Sequence, residues 1–334
     1  MNNACCTPQR TNEKPSTNDP VPHSSQSHRD EWDRPTITLP GGSFLMGTDH
    51  PTAFPFDGEG PVREFTLSPF AIDTYPVTNA DFAHFIAATN YLTDSERFGW
   101  SFVFWLHIDP EHFESLVADT VATAPWWCKV PGATWRTPEG PNSDISTRAN
   151  HPVVHVSWND AAAYAAWANR TLPTEAQWEY AARGGLTQKL YPWGDELTPN
   201  GQHLCNIWQG DFPHQDLAED GFAGTCPVDA FPPNLFGLYS ITGNTWEWTA
   251  DWFSTHHVPR NESVPHSSQS HRDEWDQAHH LQDPTGPPTG HARVMKGGSF
   301  LCHASYCNRY RVSARTANTV ESAASNVGFR CVRI

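Results

Sequence analysis

Cys302 and Cys307 are the pair in this chain best placed to do chemistry. They lie in its densest stretch, Gly297 to Cys331, which reads GGSFLCHASYCNRYRVSARTANTVESAASNVGFRC. In an uninterrupted strand, positions five apart point to opposite faces. Both sulfurs reach one site only if the chain turns between them, and His303-Ala304-Ser305 is the expected place for that turn. A four-ligand zinc site needs two further ligands with paired spacing, which this neighbourhood does not offer. Two thiolates in low coordination suit a soft ion, with Cu(I) the leading candidate. Taken alone, such a pair reads first as two buried thiols or a redox disulfide. His151 and His155 share a face of an expected strand and read as structural, hydrogen-bonded histidines.

The 334 residues are 38% hydrophobic, with Pro 29, Gly 22 and Trp 15, but no long apolar segment repeats at helical spacing. That balance predicts a mixed α/β (α+β) fold of low regular content, rich in loops and packed through aromatic rings. A net charge of -16 excludes phosphate-backbone partners and so nucleic acid. The acidic surface reads as a solvated face, one also able to attract a basic peptide. Met1 to Pro20 has no apolar signal core, and no stretch is long and apolar enough to span a membrane. A cytoplasmic location and a monomeric state are the expectations. In that setting Cys5, Cys6, Cys128, Cys205, Cys226, Cys302, Cys307 and Cys331 read as thiols or ligands rather than a disulfide framework.

The elements that would position the pair are short. Residues 1–34 are polar and aperiodic and predict a disordered tail; order is expected from the strand Thr36-Ile37-Thr38-Leu39 onward. Three helices have start signals of the capping-box kind: Thr78 to Asp81 before Phe82, Phe85 and Ile86; Ser157 to Asp160; and Thr174 to Gln177, a run that Gly184-Gly185 ends. Val153-Val154-His155-Val156 and Gly328-Phe329-Arg330-Cys331-Val332 read as β-type runs. The string Gly41-Gly42-Ser43-Phe44-Leu45-Met46 recurs as Gly297-Gly298-Ser299-Phe300-Leu301-Cys302, a strand-entry motif whose second copy ends in a thiol. VPHSSQSHRDEWD occurs identically at 21–33 and 264–276, the mark of recent duplication or a sequence-assembly artefact, and 260–280 is expected to be a flexible insertion.

The stretch GGSFLCHASYCNRYR, with Ser313-Ala314-Arg315-Thr316 and Ala324-Ser325-Asn326-Val327-Gly328-Phe329-Arg330-Cys331, resembles the C-terminal signature of formylglycine-generating enzymes, or sulfatase-modifying factors. The resemblance extends through Gly42 to Gly47, Tyr75 to Asn79, His151 to Val153, Trp158 to Ala161, Leu172 to Tyr180, Tyr191 to Asp195 and Gly243 to Trp248. The middle motifs mark a wider superfamily that includes sulfoxide synthases and non-catalytic modules. The paired cysteines mark the catalytic branch.

The resemblance implies one domain over 35–334, related to the C-type-lectin-like superfamily. It also implies an oxidase that turns the cysteine of a C-x-P-x-R motif in an unfolded or nascent sulfatase into formylglycine, with O2 as co-substrate. By the same token Cys302 and Cys307 hold Cu(I), Ser299 is the active-site hydroxyl, and Trp246 walls the oxygen pocket. Tyr306, Arg315 and Asn326 line the site or the peptide groove. One structural Ca2+ falls to Asn206, the carbonyl of Ile207, Asp220 and the carbonyl of Phe222. A second set is Ser240, Gly243, Thr245 and Glu247, where Ser240 replaces the usual Asn. Secreted animal members carry disulfides at positions matching Ala165, Ala182, Val312 and Cys331; three of those cysteines are missing here, in accord with a reducing compartment. A sulfoxide synthase would need iron on a histidine-rich site with a further helical domain, which residues 1–34 are too few to form. A binding-only module would have no need of Cys302, Cys307 and Ser299 together. Finally, Cys6-Thr7-Pro8-Gln9-Arg10 is itself a C-x-P-x-R sequence, either by chance or as a mimic of the substrate.

Overall fold

The structure, a computed structural model, describes residues 7–10, 34–255 and 282–333. Both copies of the duplicated string and the expected insertion at 260–280 lie outside these residues. Fifteen short strands and five helices are named among the described residues. In chain order the first strands are β1 (Thr36–Leu39), β2 (Gly42–Met46), β3 (Arg63–Leu67), β4 (Phe70–Asp73), β5 (Trp100–Phe104), β6 (Asp119–Val121) and β7 (Ala124–Pro131). They continue as β8 (Arg170–Thr171), β9 (Gly210–Asp211), β10 (Gln215–Asp216), β11 (Trp246–Trp252), β12 (Arg293–Lys296), β13 (Arg315–Asn318), β14 (Val327–Gly328) and β15 (Val332–Arg333). The helices are α1 (Asn79–Thr89), α2 (Asp94–Phe98), α3 (Phe113–Leu116), α4 (Trp158–Trp167) and α5 (Glu175–Arg183).

All three expected helices begin with a reciprocal capping box, Thr78 with Asp81, Ser157 with Asp160 and Thr174 with Gln177. Gly184, left-handed at φ 57, stops α5. The five-residue α2 was not anticipated, although its own capping box, Thr93 with Glu96, stands in the sequence. Val153 to Val156 is not a strand. His155 sits at φ 58, which breaks extended backbone, and the segment bonds instead to the carbonyls of Val77 and Ala324. The last β-type run is split, β14 and β15 being separated by Phe329 to Cys331.

The sheet that matters for function has the order β13-β12-β11-β14. Its neighbours are antiparallel except β11 and β14, which run parallel, with Trp246 opposite Val327; Glu247 faces Lys296, and Lys296 faces Arg315. One end of this sheet therefore carries the start of β11 (Trp246), the exit of β12 (Lys296 into Ser299), the start of β13 (Arg315) and the entry to β14 (Asn326). Three expected site segments meet because the register leaves them nowhere else to go. A second four-stranded sheet, β1-β4-β15-β8, ties the two chain ends together.

Aromatic side chains fill the interior: Trp127, Trp135, Trp208, Trp246 and Trp248 lie in one apolar cluster with Cys302 and Cys307. Buried ion pairs pin the irregular segments. Glu59 receives both guanidinium nitrogens of Arg311 at 2.6 and 2.7 Å, and Asp57 takes Arg309 at 2.6 Å. The loop at 55–59 thus clamps the chain just past Cys307. Removing one partner of such a pair leaves a buried charge, typically at a cost of about 3–5 kcal/mol.

Within the segment expected to be a disordered tail, the described residues are packed. Thr7, Pro8 and Arg10 are buried, and Arg34 bridges Asp73 at 2.5 Å and Asp81 at 3.0 Å. Arg34 and Thr7 to Arg10 thus have their partners in the domain itself, while the rest of the expected tail lies outside the described residues. Among the described residues no helix is long and apolar enough to cross a membrane.

Candidate active site

The two copies of the GGSFL string take different courses. The first continues into β2. After the second, no strand forms: Gly297 and Gly298 take φ 94 and 72, and a Cβ on Gly298 would stand 2.9 Å from the Tyr310 nitrogen. Only glycine permits that close approach, which folds the chain back on itself. The amides of Tyr306 and Cys307 then donate to the His303 carbonyl at 3.1 and 2.8 Å, closing the expected turn. As a result the sulfurs of Cys302 and Cys307 stand 3.2 Å apart, both buried (1% and 2% exposed), with no disulfide between them.

Ser299 lies directly against the pair. Its amide donates to Cys302 Sγ at 3.4 Å, and its hydroxyl accepts from Asn326 Nδ2 at 3.0 Å. Burial, and then the neighbouring Cys307, push the Cys302 thiol well above its ordinary range, while the Ser299 amide and Arg309 pull the other way. A sulfur so placed keeps its proton until a cation displaces it, and a soft ion is the cation that two adjacent thiolates favour. The donor set therefore fits Cu(I). Among the described residues no group of three or more His, Cys, Asp or Glu side chains converges as a metal site.

Trp246 belongs to the same apolar cluster as the pair, and Tyr306 packs against that cluster. The amide of Trp246 donates to the Asn326 carbonyl at 2.9 Å, while its buried indole Nε1 has no hydrogen-bond partner among the described residues. An indole N–H in that state is available to a bound molecule. Tyr306, half-buried, stacks on Phe212 at 4.7 Å and meets Trp126 edge-on at 5.3 Å, an aromatic wall beside Cys307. Arg315 is not at the thiols. It forms a two-pronged pair with Glu175, both contacts 2.7 Å, and donates to the Ser254 and Asp57 carbonyls.

Of the first calcium set, the Ile207 carbonyl and Asp220 converge. Gln209 Nε2 donates to both the Ile207 carbonyl and Asp220 Oδ2, so these two oxygens face one point where an amide nitrogen stands in for a cation. The Asn206 Oδ1 is buried with no partner among the described residues, and Phe222 follows with its amide on Asp220 Oδ1 at 3.0 Å. Oxygen ligands from irregular backbone are what Ca2+ accepts, and these residues fit it. The second set does not. Both oxygens of Glu247 are engaged by Arg330 at 2.7 and 2.8 Å, and the same guanidinium reaches the Ser240 carbonyl at 3.1 Å. A fixed positive charge already sits between Ser240 and Glu247, near Gly243 and Thr245 in the chain. His151 and His155 are hydrogen-bonded, to Thr225 and to Ser101 with the Pro138 carbonyl.

A family model described as the sulfatase-modifying factor enzyme 1-like domain matches residues 22–334. The chain belongs to the formylglycine-generating enzyme family. A formylglycine-generating enzyme of Thermomonospora curvata is 58% identical over 295 residues, covering 88% of this chain and 92% of that one. The family member of Bos taurus is 52% identical over 295 residues, covering 88% and 73%. A Mus musculus relative named inactive Cα-formylglycine-generating enzyme 2 is nonetheless 46% identical over 298 residues, covering 88% and 84%. Overall likeness therefore does not separate members that act from members that do not; the site must. PvdO from Pseudomonas aeruginosa shares the fold, with a TM-score of 0.61 at 24% identity over 96% of this chain and 99% of that one. The fold is accordingly a mixed α/β arrangement of low regular content, shared with that protein.

Proposed function

We propose that the protein is a copper-dependent oxidase that converts the cysteine of a C-x-P-x-R motif in a sulfatase polypeptide into formylglycine, with O2 as acceptor. The reading is carried by one observation, the two reduced sulfurs 3.2 Å apart beside Ser299. Cys302 and Cys307 hold Cu(I), and the metal, when bound, supplies the centre at which O2 and the substrate thiol react. The chain's own groups do the rest. The Ser299 amide stabilises negative charge on Cys302, Asn326 fixes the Ser299 hydroxyl, and the buried Trp246 indole offers a donor. Tyr306, Phe212 and Trp126 present flat faces to an incoming peptide. A substrate cysteine reaches so enclosed a pair only on an extended segment, which favours an unfolded or nascent sulfatase as partner. One Ca2+ at Asn206, Ile207, Asp220 and Phe222 serves structure, and the free, buried cysteines among the described residues favour the cytoplasm.

The test is incubation of a C-x-P-x-R peptide with copper-loaded protein in air, followed by an aldehyde-specific probe. Aldehyde is expected from the unaltered chain and none from Cys302→Ala or Cys307→Ala; turnover retained in either variant contradicts the assignment.

A further inference from the structure

Arg10 is 5% exposed, although it lies in a stretch of polar chain. Its guanidinium rests over the rings of Phe98 and Trp100, at 4.2 and 4.4 Å from their centroids. It donates to the Trp100 carbonyl at 2.7 Å and the Glu321 carbonyl at 2.8 Å, and the Arg10 amide donates to Ser322 Oγ at 2.8 Å. Upstream, Asn318 Nδ2 donates to the Thr7 hydroxyl and the Pro8 carbonyl, both at 3.0 Å. Two aromatic faces with carbonyl acceptors at their edge form an arginine pocket, and a carboxamide reading the preceding Thr-Pro fixes the register.

This pocket is tied to the candidate active site through the chain. Asn318 ends β13, the strand that starts at the site-bearing end of the sheet, and the chain returns through Glu321 and Ser322 to Asn326, whose side chain holds Ser299. Ser325 bonds to the Phe102 carbonyl and Ser101 to the Ala323 carbonyl, locking the return segment against β5, which supplies Trp100. The four docked residues, Thr-Pro-Gln-Arg, are also the last four of a C-x-P-x-R sequence.

We infer that Phe98, Trp100, Asn318 and Ser322 form the subsite for the x-P-x-R part of a substrate peptide, and that Thr7 to Arg10 occupies it as an internal competitor. The inference rests on the proposed function for the identity of the competing ligand. Residues 11–33 join Arg10 to the domain, a tether that reaches at most about 80 Å and so keeps the segment close to its pocket. A connection of this length holds its end at an effective concentration on the order of millimolar. A segment with an intrinsic affinity of about 0.1 mM would then fill the pocket about nine-tenths of the time, and weaken binding of an outside peptide about tenfold.

The experiment uses full-length protein and a fluorescein-labelled Thr-Pro-Gln-Arg peptide, which lacks cysteine and is not turned over. Its binding is read by fluorescence anisotropy. Arg10→Ala is expected to bind the peptide about tenfold more tightly than the unaltered chain, and adding Asn318→Ala to that variant should abolish the gain. The apparent KM for a cysteine-containing C-x-P-x-R peptide should fall by the same factor, with kcat unchanged. Equal binding to both proteins, or binding to neither, overturns the inference. If no variant yields aldehyde, the proposed function fails on its own, and the anisotropy still decides whether the pocket is occupied.

Discussion

Cys302 holds its proton because burial and a neighbouring sulfur both oppose a second negative charge. That physical fact links the pair to a cation without any appeal to likeness. His155 shows the same force acting on a structural group: it is fully buried between Ser101 and the Pro138 carbonyl, and desolvation pushes it down to about 4. The sign follows directly. Below the ordinary value of 6.5 the unfolded chain takes up a proton that the folded chain refuses, so stability is complete above that value and is lost as pH falls toward 4. Between pH 7.5 and pH 5 this single group should remove about 2 kcal/mol. Urea unfolding of the unaltered chain and of His155→Gln at the two pH values checks it: the unaltered chain should lose about that much more than the variant. Equal losses would show that His155 ionises freely. The sequence placed His155 among structural residues correctly, but on an imagined strand face. Its positive φ is set by the packing of Val153 to Val156 between Val77 and Ala324, a contact no local pattern announces.

Among the elements, those whose order is encoded locally were the legible ones. Capping boxes at Thr78, Ser157 and Thr174 fixed three helix starts, since each satisfies its own first amides with its own side chains. Strand β1 and the turn at His303 were equally readable. The second GGSFL string was not, because its course depends on Gly298 lying against the Tyr310 backbone. The loop from Asn206 to Phe222 shows how irregular backbone can be held without such local signals. Asn206 accepts the Asn244 amide at 2.8 Å through its carbonyl, so it braces the segment that leads into Trp246. A Ca2+ drawn to Asp220 and the uncommitted Asn206 Oδ1 would tighten that brace. At calcium about 100-fold above its Kd, binding adds about 2.7 kcal/mol. The melting temperature should therefore rise by roughly 4 °C. Calorimetry with and without calcium checks this, and Asp220→Ala should remove the response; a variant that responds fully would place the ion elsewhere.

Taken as one body, the molecule builds its site where a single sheet end gathers Trp246, Ser299 and Asn326, and where Asp57 and Glu59 clamp the chain beyond Cys307. The candidate site residues were named from motifs, and the fold brings Ser299, Cys302, Cys307 and Asn326 together. The position of Arg315, drawn to Glu175, and the packing of Thr7 to Arg10 could not be read from motifs, since both depend on partners far away in sequence. Membership of the family includes a relative named inactive, so the decisive matter is whether these two sulfurs bind a metal together. Anaerobic titration of the reduced protein with Cu(I) against a coloured chelator measures that directly. About one Cu(I) per chain is expected, taken up with release of protons, with loss of this binding in both Cys302→Ala and Cys307→Ala. Unaltered protein that leaves the chelator fully loaded, or either variant binding copper as tightly as the unaltered chain, would contradict it.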